Sequence, residues 1–277
     1  MEPDRACVEP TFSSPSAAVY VTYDMKNPPP HPGEGWTRFV CISDTHSKIY
    51  PVPPGDVLLH SGDLSSHGTL KQLQVTTDWL KTLPHGIKII IAGNHDICLD
   101  EAFKRGGPLH SVLGNTIRSK DISSARDFMR SQSLRKKGIY YLEHETLMVP
   151  VKSGRKWLVY GSPAAPRYSL GAFQYNREEG DALYAQIPSS IDILLTHGPP
   201  NRICDLTKHG SNAGCEALTR RLEHEDLSQC RLHVFGHIHE AHGAAVVAKS
   251  KKNPDGRVSV NAALRHHGQA VIVDLKD

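Results

Sequence analysis

Five short stretches of this chain carry residue types that grip metal ions. They are Asp44-Thr45-His46, Gly62-Asp63, Gly93-Asn94-His95-Asp96, Thr196-His197 and Gly236-His237-Ile238-His239. Histidine is abundant, 17 of 277 residues, and neutral imidazole is the commonest metal ligand. Residues two apart on an extended segment point the same way, so Asp44 with His46 and His237 with His239 are each expected to face one cavity. Glycines before Asp63, Asn94 and His237 are expected to supply tight turns that bring backbone close to a crowded site. Asp, His and Asn donors without thiolate suit borderline-hard divalent ions, namely Mn²⁺, Fe²⁺, Zn²⁺, Ni²⁺ or Co²⁺. Seven candidate ligands (Asp44, His46, Asp63, Asn94, His197, His237 and His239) are too many for one ion with an open position. They suffice for two ions sharing a carboxylate. Taken singly, each stretch has a plainer reading as a cap, a turn or a surface histidine; their shared placement argues otherwise.

That placement is set by the elements in front of them. Apolar runs at 38–42, 57–59, 88–92, 193–195 and 232–235 each end in one of the polar clusters. Ligand sites in open α/β sheets gather at the carboxyl ends of strands. Continuously apolar strands alternating with helices predict a layered α/β fold. Further strands are expected at 140–142, 147–151, 157–160, 244–247, 258–260 and 271–274. Helices are expected from Thr69, where Thr69 and Gln72 have capping-box spacing, and around 122–134, 178–186 and 213–223. Residues 1–36 are rich in Pro, Ser and Gly and read as an irregular arm with a short strand at 18–23. Residues 37–277 read as a single domain.

The ordered set resembles the calcineurin-like metallophosphoesterase family, whose pattern is D-x-H, GD, GNH[DE], a lone His and GHxH. The likeness runs over 38–275, and segments 39–47, 56–63, 89–95, 192–200 and 232–240 are most similar to the small metallophosphoesterase-domain-containing phosphodiesterase subgroup. It implies two packed mixed β-sheets flanked by helices. It implies one metal on Asp44, His46 and His239, another on Asn94, His197 and His237, and Asp63 bridging both. His95 is implied as proton donor or transition-state stabiliser, with Asp96 orienting its ring. The chemistry implied is in-line attack by a metal-bridging hydroxide on a small-molecule phosphodiester or phosphomonoester, with manganese the first expectation among the metals. Some animal members have Gly where this chain has His237. The loop 162–167 lacks the tryptophans of those relatives, so their substrate preference is not carried over.

Other classes fit less well. The net charge is +3, from 32 Lys+Arg against 29 Asp+Glu, too small for a phosphate-neutralising nucleic-acid surface. The basic run Lys249, Lys251 and Lys252 reads as a solvated turn. No apolar stretch is long enough to span a bilayer, and the N-terminus lacks a secretory pattern; a soluble cytoplasmic protein is the expectation. Six scattered cysteines without CxxC spacing read as free thiols, with Cys204–Cys215 the one pairing worth checking. Arg167 is a candidate phosphate contact, and Asn261 a candidate neighbour of the site. Two other readings remain open: a non-catalytic scaffold, which the filled ligand positions disfavour, and a protein that binds phosphate passively.

Overall fold

Apolar runs flanked by helical segments become strands buried on both faces, and the computed structural model of this chain shows where they go. It describes residues 9–104, 118–224, 227–247, 253–266 and 268–277. Cys7, His110, His267 and the basic run at Lys249, Lys251 and Lys252 lie outside these residues. The strands are β1 (Phe12–Ser14), β2 (Ala17–Tyr20), β3 (Trp36–Ile42), β4 (Val57–His60), β5 (Ile87–Ile90), β6 (Ile139–Tyr141), β7 (Glu145–Pro150) and β8 (Lys156–Ser162). They continue with β9 (Ala165–Pro166), β10 (Gln174–Tyr175), β11 (Ile193–Thr196), β12 (Leu232–Phe235), β13 (Gly243–Val247), β14 (Arg257–Asn261) and β15 (Val271–Lys276). The principal helices are α1 (Leu70–Thr82), α2 (Ser119–Met129), α3 (Gln132–Arg135), α4 (Gly180–Tyr184) and α5 (Glu216–Glu223).

Two mixed sheets pack face to face. One has seven strands in the order β1-β2-β15-β3-β4-β5-β6, the other six in the order β13-β14-β12-β11-β8-β7. Strands β3 to β6 run parallel, as do β8, β11, β12 and β14. Side-chain alternation divides each strand between two cores. Phe39, Cys41, Leu59 and Ile89 face inward and meet Trp157, Val159, Ile193 and Val234 of the other sheet. Val40, Ile42, Leu58 and Ile90 face outward and are covered by Leu73 and Leu80 of α1 and Ala125 and Met129 of α2. On the far side, Leu194 and Tyr160 lie under Leu218 and Leu222 of α5. The sheets are also tied by polar bonds: Trp157 Nε1 donates to Thr37 Oγ1 at 3.1 Å, and Ser61 Oγ donates to the Val234 carbonyl at 2.9 Å. Trp157 is fully buried, so its truncation to Ala costs about 3–5 kcal/mol.

The boundaries differ from the sequence expectations for local reasons. The arm is less irregular than its composition suggests. β1 and β2 form a hairpin, and β2 pairs with β15. Arg38 then holds the proline-rich stretch, donating to the carbonyls of Pro29 at 2.6 Å and Pro30 at 2.8 Å while its guanidinium grips Asp274 through two 2.7 Å bonds. Thr69 caps α1, accepting from Gln72 N at 3.3 Å, but the Gln72 side chain turns to His67 N instead of closing the box. The helix expected over 122–134 is split, because Ser131 Oγ starts a new turn by accepting from Leu134 N. The last helix starts at Glu216 because Asp205 captures the amides of Ala213 and Gly214 first. Cys204 and Cys215 are both free thiols. No helix among the described residues is long and apolar enough to cross a membrane.

Candidate metal centre

The parallel strands β3, β4 and β5 of one sheet and β11 and β12 of the other end at the same rim, so all five polar clusters meet there. The nine residues singled out from the sequence come together. Alternation along extended chain is not what aims them. Asp44 (φ 55°), His46 (φ 47°), Asp63 (φ 53°) and His237 (φ 70°) are all left-handed, an unfavourable backbone state for residues with a Cβ. Such strain concentrates where surrounding structure enforces a functional geometry. His239 opens a short 3₁₀ turn rather than continuing a strand. The glycines serve space as much as turning. A Cβ on Gly236 would collide with the Asp44 carboxylate, and one on Gly93 with the Asp63 carboxylate.

The donors form two groups. In the first, one donor atom from each of Asp44, His46, Asp63 and His239 lies within 4.8 Å of all the others. His239 Nε2 is 3.1 Å from Asp44 Oδ1, His46 Nε2 is 3.6 Å from Asp63 Oδ2, and the two Nε2 atoms are 3.5 Å apart. In the second, Asn94 Oδ1 is 2.9 Å from both His197 Nε2 and His237 Nδ1, and His197 Nε2 is 3.5 Å from Asp63 Oδ1. Asp63 thus turns one oxygen toward each group. The lone-pair atoms converge: His197 Nδ1 donates to the Ser61 carbonyl at 2.9 Å, which selects the tautomer whose Nε2 lone pair faces an amide oxygen and a carboxylate. Acceptors facing acceptors at such distances are repulsive unless a cation lies among them. Divalent ions held at about 2.0–2.2 Å by nitrogen and oxygen set neighbouring donors at comparable spacings. The donor set fits a pair of divalent ions.

Electrostatics agrees. Burial, then the neighbouring Asp44 and Asp96 carboxylates, pushes the Asp63 carboxyl well above the usual range. Burial also raises Asp44, but its bond to His239 and the surrounding His197, His239 and His46 imidazoles outweigh that and hold it low. Burial drives His46 and His237 down to about 3, so both are neutral and able to ligate. Crowded buried carboxylates beside neutral imidazoles make a cation trap.

His95 stands beside the first group, its ring 4.7 Å from that of His46 and nearly perpendicular to it. Its orientation corrects one expectation. Asp96 does not steer the ring; the Ser66 carbonyl does, accepting from Nδ1 at 2.9 Å. The Asp96 carboxylate instead accepts from the amides of Gly93, Leu64 and Ser65 and from Ser65 Oγ. It therefore locks the Asp63 loop to the Asn94 loop. The His95 amide donates to Asp63 Oδ1 at 2.9 Å, a further link.

Around this centre, Asn261 is a support, donating to the carbonyls of Ile238 and Cys204 and so fixing the turn between His237 and His239. Arg167 is exposed, and its guanidinium makes no hydrogen bond or ion pair among the described residues. A cation at the rim is Arg265, whose charge helps depress His46; the parallel bridge of Ser43 with Ala263 brings its loop there. Three neighbours were missed from sequence: Arg265, His266 against the His239 ring at 5.5 Å, and Tyr168 against the His237 ring at 5.0 Å. The one aromatic residue in the run 162–171 was the available hint for Tyr168. The Ser61 and Ser66 carbonyls had none, since any residue supplies one.

Residues 37–241 match the sequence model of the calcineurin-like phosphoesterases. Human metallophosphoesterase domain-containing protein 1 is 36% identical over 231 residues, covering 80% of this chain and 65% of its own. The Caenorhabditis elegans UPF0046 protein C25E10.12 is 30% identical over 245 residues, covering 84% of this chain and 77% of its own. A longer Emericella nidulans protein, described as a probable rhamnogalacturonate lyase C, is 38% identical over 210 residues, which are 76% of this chain and 18% of that one. The chain thus spans about two thirds of the human relative and less than a fifth of the fungal one.

Proposed function

The chain belongs to the calcineurin-like phosphoesterase family, and from that premise we propose that it is a dinuclear metal-dependent hydrolase of small-molecule phosphate esters, acting on diesters in preference to monoesters. One observation carries the reading: the two oxygens of Asp63 address two separate donor groups, 3.6 Å from His46 and 3.5 Å from His197. Asp44, His46 and His239 would hold one divalent ion, Asn94, His197 and His237 the other, with Asp63 shared between the two groups. Manganese is the first choice, with iron, zinc, nickel and cobalt as alternatives for the same nitrogen and oxygen donors. When bound, the ions supply Lewis acidity for the phosphoryl oxygens and for a water molecule.

The chain's own residues do the rest. The seven ligands sit on a rigid rim, so a phosphate ester bound at the centre would be presented in one orientation, converting an encounter into an oriented reaction. His95 donates through Nδ1 to the Ser66 carbonyl, which leaves Nε2 facing outward; as an imidazolium the ring can deliver the Nε2 proton to the departing oxygen. Asp96 keeps the two ligand loops in register. No serine or cysteine nucleophile is needed. The ligand is a small molecule rather than a nucleic acid, given the weak net charge of +3.

The test is to reconstitute the purified protein with Mn²⁺, count metal, and compare bis-p-nitrophenyl phosphate with p-nitrophenyl phosphate. Two equivalents and faster diester turnover are expected. One equivalent or fewer removes the dinuclear reading, and faster monoester turnover reverses the preference.

A further inference from the structure

The excursion that carries Tyr168 is built as a platform. It leaves β9 and returns in β10, which pair in parallel, and both feet are tied. The Arg167 amide donates to the Tyr175 carbonyl at 2.8 Å, the Ala172 amide to the Asn94 carbonyl at 2.9 Å and the Phe173 amide to Asp100 Oδ2 at 2.7 Å. Gly171 packs so tightly on Asn94 that a Cβ there would come within 3.1 Å of the Asn94 Cβ. The loop is therefore bolted to a ligand-bearing residue rather than draped over it.

At its tip, Tyr168 is 63% exposed and Leu170 48% exposed. Tyr168 touches the centre at two points: its ring meets that of His237 at 71°, and its hydroxyl accepts from Asn94 Nδ2 at 3.4 Å. The remainder of the ring is open to solvent. A rigid aromatic surface beside a phosphate-handling centre is suited to a planar group carried by the phosphate, because stacking on tyrosine is favourable and tolerant of the partner's substituents. Beside the first donor group, Arg265 and His266 offer a charge and a ring.

We propose that Tyr168 is the specificity-determining residue of this site and selects phosphodiesters whose retained, non-leaving substituent carries a planar aromatic group over those whose retained substituent is a simple alkyl group. This rests on the hydrolase reading above. Leu170 lies beside it on the same tip and extends the apolar surface. The tyrosine acts on binding of the substituent, not on the bond broken.

The experiment uses two esters with one leaving group, thymidine 5′-p-nitrophenyl phosphate and methyl p-nitrophenyl phosphate, with the manganese-loaded full chain. The wild type is expected to favour the thymidine ester in kcat/KM by about tenfold or more, the scale of one stacking contact. Tyr168→Ala is expected to collapse that ratio mainly through KM, and Tyr168→Phe to keep it while two equivalents of metal remain bound in both variants. An unchanged ratio in Tyr168→Ala, equal losses on both esters, or loss of metal from that variant would each overturn the assignment and leave Tyr168 a support for His237 and Asn94. Turnover of neither ester by the metal-loaded wild type would instead strike the hydrolase reading, and this proposal with it.

Discussion

The two halves of the metal centre solve the same problem with different means. The half formed by Asp44, His46 and His239 has a carboxylate of its own in addition to the shared Asp63. The half formed by Asn94, His197 and His237 has an amide in that position. The first therefore attracts a divalent ion by charge, yet its imidazole ligands are less firmly fixed: the His239 side chain is 17% exposed, and His46 Nδ1 has no hydrogen-bond partner among the described residues. The second has less charge and firmer walls, with the His197 side chain fully buried and its ring fixed by the Ser61 carbonyl. Ligand-orienting bonds of that kind tune metal affinity strongly. On the dinuclear reading, one ion would be held by Coulomb attraction and the other by preorganisation, and each half can be weakened separately.

The largest expected effect comes from the residue both halves share. Asp63→Asn should bind neither ion at micromolar metal and lose more than about a thousandfold in rate, since it removes a ligand from each ion and charge from both. Retention of two equivalents by mass spectrometry would break the comparison outright. His95→Ala should keep both ions and lose about 10²- to 10⁴-fold in kcat, because it contributes a proton and no ligand; its amide bond to Asp63 survives the substitution. Loss of metal from that variant would move His95 into the first half. Next come the paired deletions, His237→Ala and His239→Ala. Each should leave one tightly bound equivalent, and the ion remaining in His237→Ala should resist chelator longer because Asp44 and Asp63 both hold it. Equal chelator sensitivity would erase the charge distinction.

The smallest effect is one of pH on the metal-free protein. His60, behind the first half and hydrogen-bonded with Thr45 Oγ1 at 2.9 Å, is pushed down to about 3 by burial, and His85 to about 4. Both stay neutral in the fold but take up a proton on unfolding once the pH drops below about 6.5. Stability is therefore expected to fall as pH decreases from about 6.5 toward 4, read as a lower urea midpoint. Replacing His60 by Gln should flatten part of that slope; an unaltered slope would exonerate the wall behind Asp44.

Much of the centre was legible because ligation fixes residue type, and the strands before each cluster are apolar enough to announce themselves. The runs before Asp44, Asp63 and Asn94 became β3, β4 and β5 within a residue or two of their expected ends. What stayed hidden depends on contacts between distant segments. The Pro-rich arm reads as coil because prolines donate no amide hydrogen, but Arg38, buried with Asp274, supplies donors to the Pro29 and Pro30 carbonyls. Asp96 reads as a partner for the adjacent His95, yet four donors from the glycine and serine loops claim its oxygens first. The left-handed turns at Asp44, Asp63 and His237 leave no trace in composition, although they, and not strand alternation, aim the donors.

The position of β15 has a consequence for how the molecule is made. Residues 271–276 sit between β2 and β3, so the hairpin near the amino end has no docking edge until the final stretch of this sequence emerges from the ribosome. Pairings this distant along a chain form slowly, and strands β3 to β5 wait meanwhile with one flank unzipped, a natural point for a chaperone to intervene.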